Sequence, residues 1–200
     1  MKSTKKLALL VALTSVAPLS LSVLVSPAEA TVVNTDPSQF ITTLSTDAFQ
    51  TLRTGDHAAA RSKFRTLLAQ HFAVDQIGDR LIRRWLPTIT PAQKAAYKEA
   101  FPNFIIGTYA DRLFDYSNAT LKVIRTAPVG SAVDVTSQVT KPGTQPVLAI
   151  WSVLQTPSGY KVTNLKVGGI NLAISQAADF DAIIQRKGFD GLVQMMKSRS

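Results

Sequence analysis

The chain offers little material for chemistry. It has 200 residues and no cysteine. That removes thiol nucleophiles, thiolate metal sites and any disulfide framework. Its two histidines, His57 and His71, have no partners at metal-ligand spacing. His57 falls in the first turn after Gly55. His71 closes the apolar face of a helix, where a half-buried structural histidine is the expected role. There is no Gly-x-Ser-x-Gly elbow and no phosphate-binding glycine loop. Among the acids, Asp36, Asp56 and Asp75 sit at cap positions, and Asp179 and Asp181 flank an apolar face. Asp134 is the one acid inside an expected strand. Acid–base catalysis there, with a tyrosine, stays open as the enzymatic alternative, although a solvated strand residue is the commoner case.

The basic residues gather more suggestively. Arg80, Arg83 and Arg84 lie beside Trp85, Lys161 and Lys166 share one strand, and Lys187, Lys197 and Arg199 lie near the C-terminus. They read either as solubilising charge or as a rim that meets anionic headgroups or an acidic partner.

With 22 Lys plus Arg against 13 Asp plus Glu, the formal charge is +9 while mean hydropathy is +0.11. At 46% hydrophobic and 18% charged, the composition is that of a folding chain with a real core. Residues 1–30 contribute part of both excesses. Lys2, Lys5 and Lys6 precede an apolar run from Leu7 to Val25, and Ala28-Glu29-Ala30 offers small residues at cleavage positions. The expectation is a cleaved secretory signal over 1–30 and one domain over 31–200. Without the three lysines and one glutamate of that segment, 22 basic and 13 acidic residues become 19 and 12, and the charge becomes +7. An exported basic chain points away from nucleic acid and towards anionic lipid or acidic protein.

The elements that would position these residues come in a clear order. Asp36-Pro37 signals a helix start, with Phe40, Leu44, Ala48 and Leu52 on one face. Gly55 ends that helix and Asp56 caps the next, whose face carries Ala60, Phe64, Leu67, Leu68 and His71. A third helix is expected over Asp75–Arg84, stopped by Pro87. Thr90-Pro91-Ala92-Gln93 has the form of a capping box and opens a long helix, with a kink expected at Pro102. Four strands are then expected: 119–126, 132–141, 145–155 and 160–167, separated by Pro/Gly turns. Short connections favour an antiparallel meander. The third strand is apolar on both faces, which predicts a central strand covered twice. The fourth loses phase near Asn164, which predicts a bulge. Helices from Asn171, interrupted at Gly188, complete an α+β fold. Its curved four-stranded antiparallel sheet, wrapped by helices into a cone, should enclose an apolar pocket.

The ordered features resemble the MlaC family of periplasmic phospholipid carriers, also known as the toluene-tolerance family. They are Asp36-Pro37-x-x-Phe40, the Arg83-Arg84-Trp85 triplet, Thr90-Pro91-x-Gln93 with Phe101, Phe104 and Tyr109, Gly159-Tyr160-Lys161-Val162, Val167-Gly168-Gly169-Ile170-Asn171-Leu172, and Gly188-Phe189-Asp190-Gly191-Leu192. The resemblance implies a cone (NTF2-like) fold and a non-enzymatic shuttle, with lipid tails between sheet and helices. Its partners would be an outer-membrane lipoprotein complex and an inner-membrane ABC transporter carrying a membrane-anchored substrate-binding ring. A hopanoid-associated carrier is a variant of the same reading. This chain departs from the family pattern at Asn164, Asn171 and Ala177-Ala178, which bears on headgroup contacts and partner choice.

Physical chemistry fits such a role. A sixteen-carbon chain in water costs about 13 kcal/mol at about 0.8 kcal/mol per methylene. A carrier therefore needs apolar lining rather than a catalytic motif, and neither cofactor nor metal is expected. The expected tail contacts are Phe72, Ile77, Leu81 and Trp85 before the long helix, and Phe101, Phe104, Ile105 and Tyr109 on it. The sheet region should add Val135, Val139, Ile150, Val162 and Ile170. Arg80, Arg83, Arg84, Lys161 and Lys166 form the expected headgroup or partner rim.

Overall fold

A computed structural model describes residues 32–199. The expected secretory signal over 1–30 lies outside the described residues. Helix α1 (Pro37–Arg53) begins where Asp36 accepts from the Ser38 and Gln39 N–H groups, with proline in the first turn. Those bonds hold the Asp36 carboxyl below its usual range. Helix α2 (His57–His71) is capped in the same way by Asp56. Helix α3 (Val74–Leu81) is shorter than expected: it ends at Leu81, and turns cover Ile82 to Thr88. Helix α4 (Pro91–Leu113) opens on a reciprocal capping box. Gln93 N–H donates to Thr90 Oγ1 at 3.2 Å, and Thr90 N–H donates to Gln93 Oε1 at 3.0 Å. The helix continues through Pro102.

A 3-10 turn at Phe114–Tyr116 leads into strands β1 (Thr120–Val129), β2 (Ala132–Thr140), β3 (Val147–Thr156) and β4 (Gly159–Val167). The sequence pattern predicts four strands. The structure adds a short fifth, β5 (Ile170–Asn171), and the antiparallel sheet runs in the order β1-β2-β3-β4-β5. Gly168 and Gly169 make this possible. With φ of +57° and +84°, they form a two-residue hairpin loop that few other residues could occupy. The phase loss in β4 is a bulge: Val153 pairs with Val162 but Ser152 with Asn164, which leaves Thr163 extra. In strand β2, Val133 and Val135 pack inward against α1 and α2. Strand β3 is central, but its second face is only partly covered: Leu148 is 52% exposed, while Ile150 and Leu154 are half-buried. Asn171 caps α5 (Leu172–Ser198), which breaks at Gly188 (φ 73°, ψ 172°).

Apolar burial falls into two cores. One is helical: Ile82, Tyr97, Phe104, Phe180, Leu192 and Met196 join α4 to α5 and the turns after α3. The other sets Phe40, Ile41 and Leu67 of α1 and α2 against Val135, Val153 and Val162 of the sheet. This α+β arrangement leaves a seam between the cores.

Candidate functional site

The seam is a cavity of about 510 Å³. Helix α1 contributes Leu44, Ala48, Phe49 and Leu52, and α2 contributes Phe64, Leu67 and Leu68. Ile77 and Leu81 come from α3, and Phe101, Ile105 and Tyr109 from α4. The sheet supplies Val139, Ala149, Trp151, Val162, Leu165 and Val167. Leu113 and Tyr116 line the cavity and are each 37% exposed, so the space opens where α4 runs into β1.

The few polar groups in this lining are mostly engaged with protein. Tyr109 Oη donates to Gln176 Oε1 at 3.1 Å. Trp151 Nε1 donates to Ser137 Oγ at 3.0 Å and presents the rest of its ring to the cavity. The exception is Asn164, whose buried Oδ1 has no hydrogen-bond partner among the described residues. Apolar lining with satisfied polar groups suits non-directional burial of hydrocarbon.

Of the residues expected to meet lipid tails, Phe72, Ile77, Leu81, Phe101, Ile105, Tyr109, Val139 and Val162 come together around this cavity. The other five lie elsewhere. Phe104 is buried in the helical core against Phe180, and Val135 is fully buried under α1. Ile150 pairs with Thr136 and Lys166 on the outer face. Trp85 packs on the helical core and donates to Asp181 Oδ1 at 2.6 Å. Ile170 is 60% exposed on β5. Strand parity explains Ile150: odd positions of β3 face inward and even ones outward.

The α1 and α2 lining was missing from the expected set. Its signal was available, because Leu44, Ala48 and Leu52 recur at helical spacing. That spacing does not tell a packed neighbour from an empty one.

The basic rim divides. Arg80 donates to Thr163 O at 3.3 Å and lines a second, open pocket of about 480 Å³ beside α5. Arg84 lies 3.8 Å from Asp181 and over the Trp85 ring. Lys161 donates to Gln70 O at the end of α2, while Lys166 pairs across the sheet with Ile150. Arg83 is exposed in the turns after α3.

The residues singled out for catalysis or metal binding are placed otherwise. Asp134 accepts from Ser152 Oγ at 2.7 Å on the outer face, turned from the cavity. His57 stacks on Phe114 at 3.8 Å between ring centroids. His71 is buried against Phe40. Burial lowers its pKa, and Lys161 adds to the effect. Among the described residues, no cluster of three His, Cys, Asp or Glu could hold a metal ion. Among them also, no helix is long and apolar enough to cross a membrane.

The departures from the family pattern leave local geometry intact at one point. Asn171 accepts from the N–H groups of Ala173 and Ile174, and asparagine caps a helix as well as serine does.

The fold is similar to that of a phospholipid-binding protein from Ralstonia solanacearum, solved in complex with a phospholipid. The identity is 25% and the TM-score 0.68, with 82% of this chain and 96% of that chain covered. The model of the MlaC protein family matches residues 38–198. That span runs from the first turn of α1 to the last residue of α5 and includes every cavity-lining element, so the chain belongs to the MlaC family.

Proposed function

We propose that this protein is a periplasmic carrier of phospholipid, not an enzyme. It would hold acyl tails in the cavity between its two cores and leave the headgroup outside. One observation carries the reading: a cavity of about 510 Å³ with almost wholly apolar lining, in a chain whose solved relative holds a phospholipid. The tail contacts are the lining residues, including Phe72, Ile77, Leu81, Phe101, Ile105, Tyr109, Val139 and Val162.

Residues 1–30 would direct export and be removed. The carrier would then exchange lipid with an outer-membrane lipoprotein complex and an inner-membrane ABC transporter bearing a membrane-anchored ring. A carrier of this kind needs no energy of its own. Direction follows from which partner competes better for the lipid.

The test is native mass spectrometry of protein purified without detergent, with lipid analysis of solvent extracts. Co-purified phospholipid supports the carrier. A clean apo mass, with no uptake from phospholipid vesicles, would reject it.

A further inference from the structure

The free edge of β4 is covered in two stretches. Towards its start, Ala73 N–H donates to Val162 O at 2.9 Å and Arg80 to Thr163 O at 3.3 Å. At its end, β5 pairs with Lys166 and Val167. Asn164 falls in the gap between them. Both Asn164 and Ala173 line the tail cavity and the open pocket beside α5. These two residues form a wall common to both spaces.

The open pocket carries two full charges. Arg80 and Asp181 both line it, yet no nitrogen–oxygen pair between them lies within 4.0 Å, and Arg80 makes no ion pair among the described residues. Asp181 Oδ1 is held by Trp85, while among the described residues Oδ2 has only the distant and exposed Arg84 at 3.8 Å. Asn164 Oδ1 adds a buried acceptor with no donor. A cation and an anion that share a pocket without pairing are matched by a ligand bearing both charges in the opposite sense. The two acceptors favour a ligand cation that carries N–H groups.

We infer that this pocket is a headgroup site selective for phosphoethanolamine. The phosphate lies at Arg80, and the primary ammonium lies between Asp181 Oδ2 and Asn164 Oδ1. A phosphocholine head satisfies the charge but offers no N–H donor. A phosphoglycerol head offers hydroxyl donors but no cation. This rests on the carrier reading above, since the tails occupy the adjoining cavity.

Delipidated protein is incubated with vesicles holding equal amounts of phosphatidylethanolamine, phosphatidylcholine and phosphatidylglycerol of identical chains, and bound lipid is identified by native mass spectrometry. The ethanolamine lipid should be enriched about tenfold over the choline lipid, the scale of a charge-assisted hydrogen bond. Asp181→Asn and, separately, Asn164→Leu should bring that ratio towards one while total occupancy holds. Arg80→Gln should weaken all three lipids alike. Equal binding by the wild type overturns the inference, as does a preference that survives both Asp181→Asn and Asn164→Leu. Absence of any bound lipid would instead overturn the carrier reading beneath it.

Discussion

Ala149 sits on the cavity floor, 2% exposed, near the start of β3. Replacing it with leucine adds three methyl-sized groups to the space the tails would fill. A methylene occupies roughly the share of a water molecule in the liquid, roughly 30 Å³. On that scale the cavity's 510 Å³ holds roughly 17 methylenes, and Ala149→Leu leaves room for roughly 14. Each buried methylene contributes about 0.8 kcal/mol, or roughly fourfold in affinity. Affinity for single-chain lysophospholipids should therefore climb with chain length in the wild type and level off near seventeen carbons. In Ala149→Leu it should level off about three carbons earlier, which costs the longest chains about 2.4 kcal/mol, or roughly 60-fold. Short chains should bind both proteins equally. The assay is displacement of a fluorescent fatty acid by a series from twelve to twenty carbons, with thermal melting as the check on folding. An unmoved plateau, or a uniform loss at every length, would refute the assignment of this cavity to the tails.

Further outcomes follow from particular contacts. His71 is held neutral by burial and by Lys161, so the unfolded chain binds its proton first. Stability should fall as pH drops below about 6.5, and His71→Gln should flatten that slope in urea titrations between pH 7 and 5. Gly78→Ala places a methyl 3.2 Å from Phe101 Cδ1, where Phe101 is stacked on Tyr97 and Tyr97 Oη is tied to Gly78 O at 2.9 Å. The crowding should outweigh the gain in helix propensity and destabilise by about 1–2 kcal/mol, read from the shift in denaturant midpoint. Trp85→Phe removes the donor to Asp181, a half-exposed carboxylate, and should cost about 1 kcal/mol in the same measurement. Asp134→Asn should leave lipid loading unchanged by native mass spectrometry, and a loss would revive a role for the outer face.

Much of this molecule is legible in its sequence, because its elements announce themselves locally. Asp36-Pro37, Asp56 and the Thr90/Gln93 box place three helix starts through side chains that reach their own backbone. The bulge beside Asn164 shows as a slip in a period of two. The misses concern what lies on the far side of a buried face. Phe104 and Phe101 sit on the same helix with similar exposure, yet one packs on Phe180 and the other faces the cavity. Burial fixes periodicity, while cavity lining depends on where a second element fails to arrive. β5 escaped notice because two residues make a strand only through the pairing that Gly168-Gly169 permits.

The division of the interior into two cores has a consequence for the empty protein. An apolar void of this size is not filled profitably by water, so the unloaded chain forgoes contacts that its lining is shaped to make. The cargo is then a portion of the hydrophobic core supplied from outside. Loading raises stability by mass action, in proportion to the logarithm of free lipid over its dissociation constant. The melting temperature thus becomes a gauge of cargo. A partner that strips the lipid hands back a softer protein, whose helical and sheet-bound halves are freer to part and accept the next one.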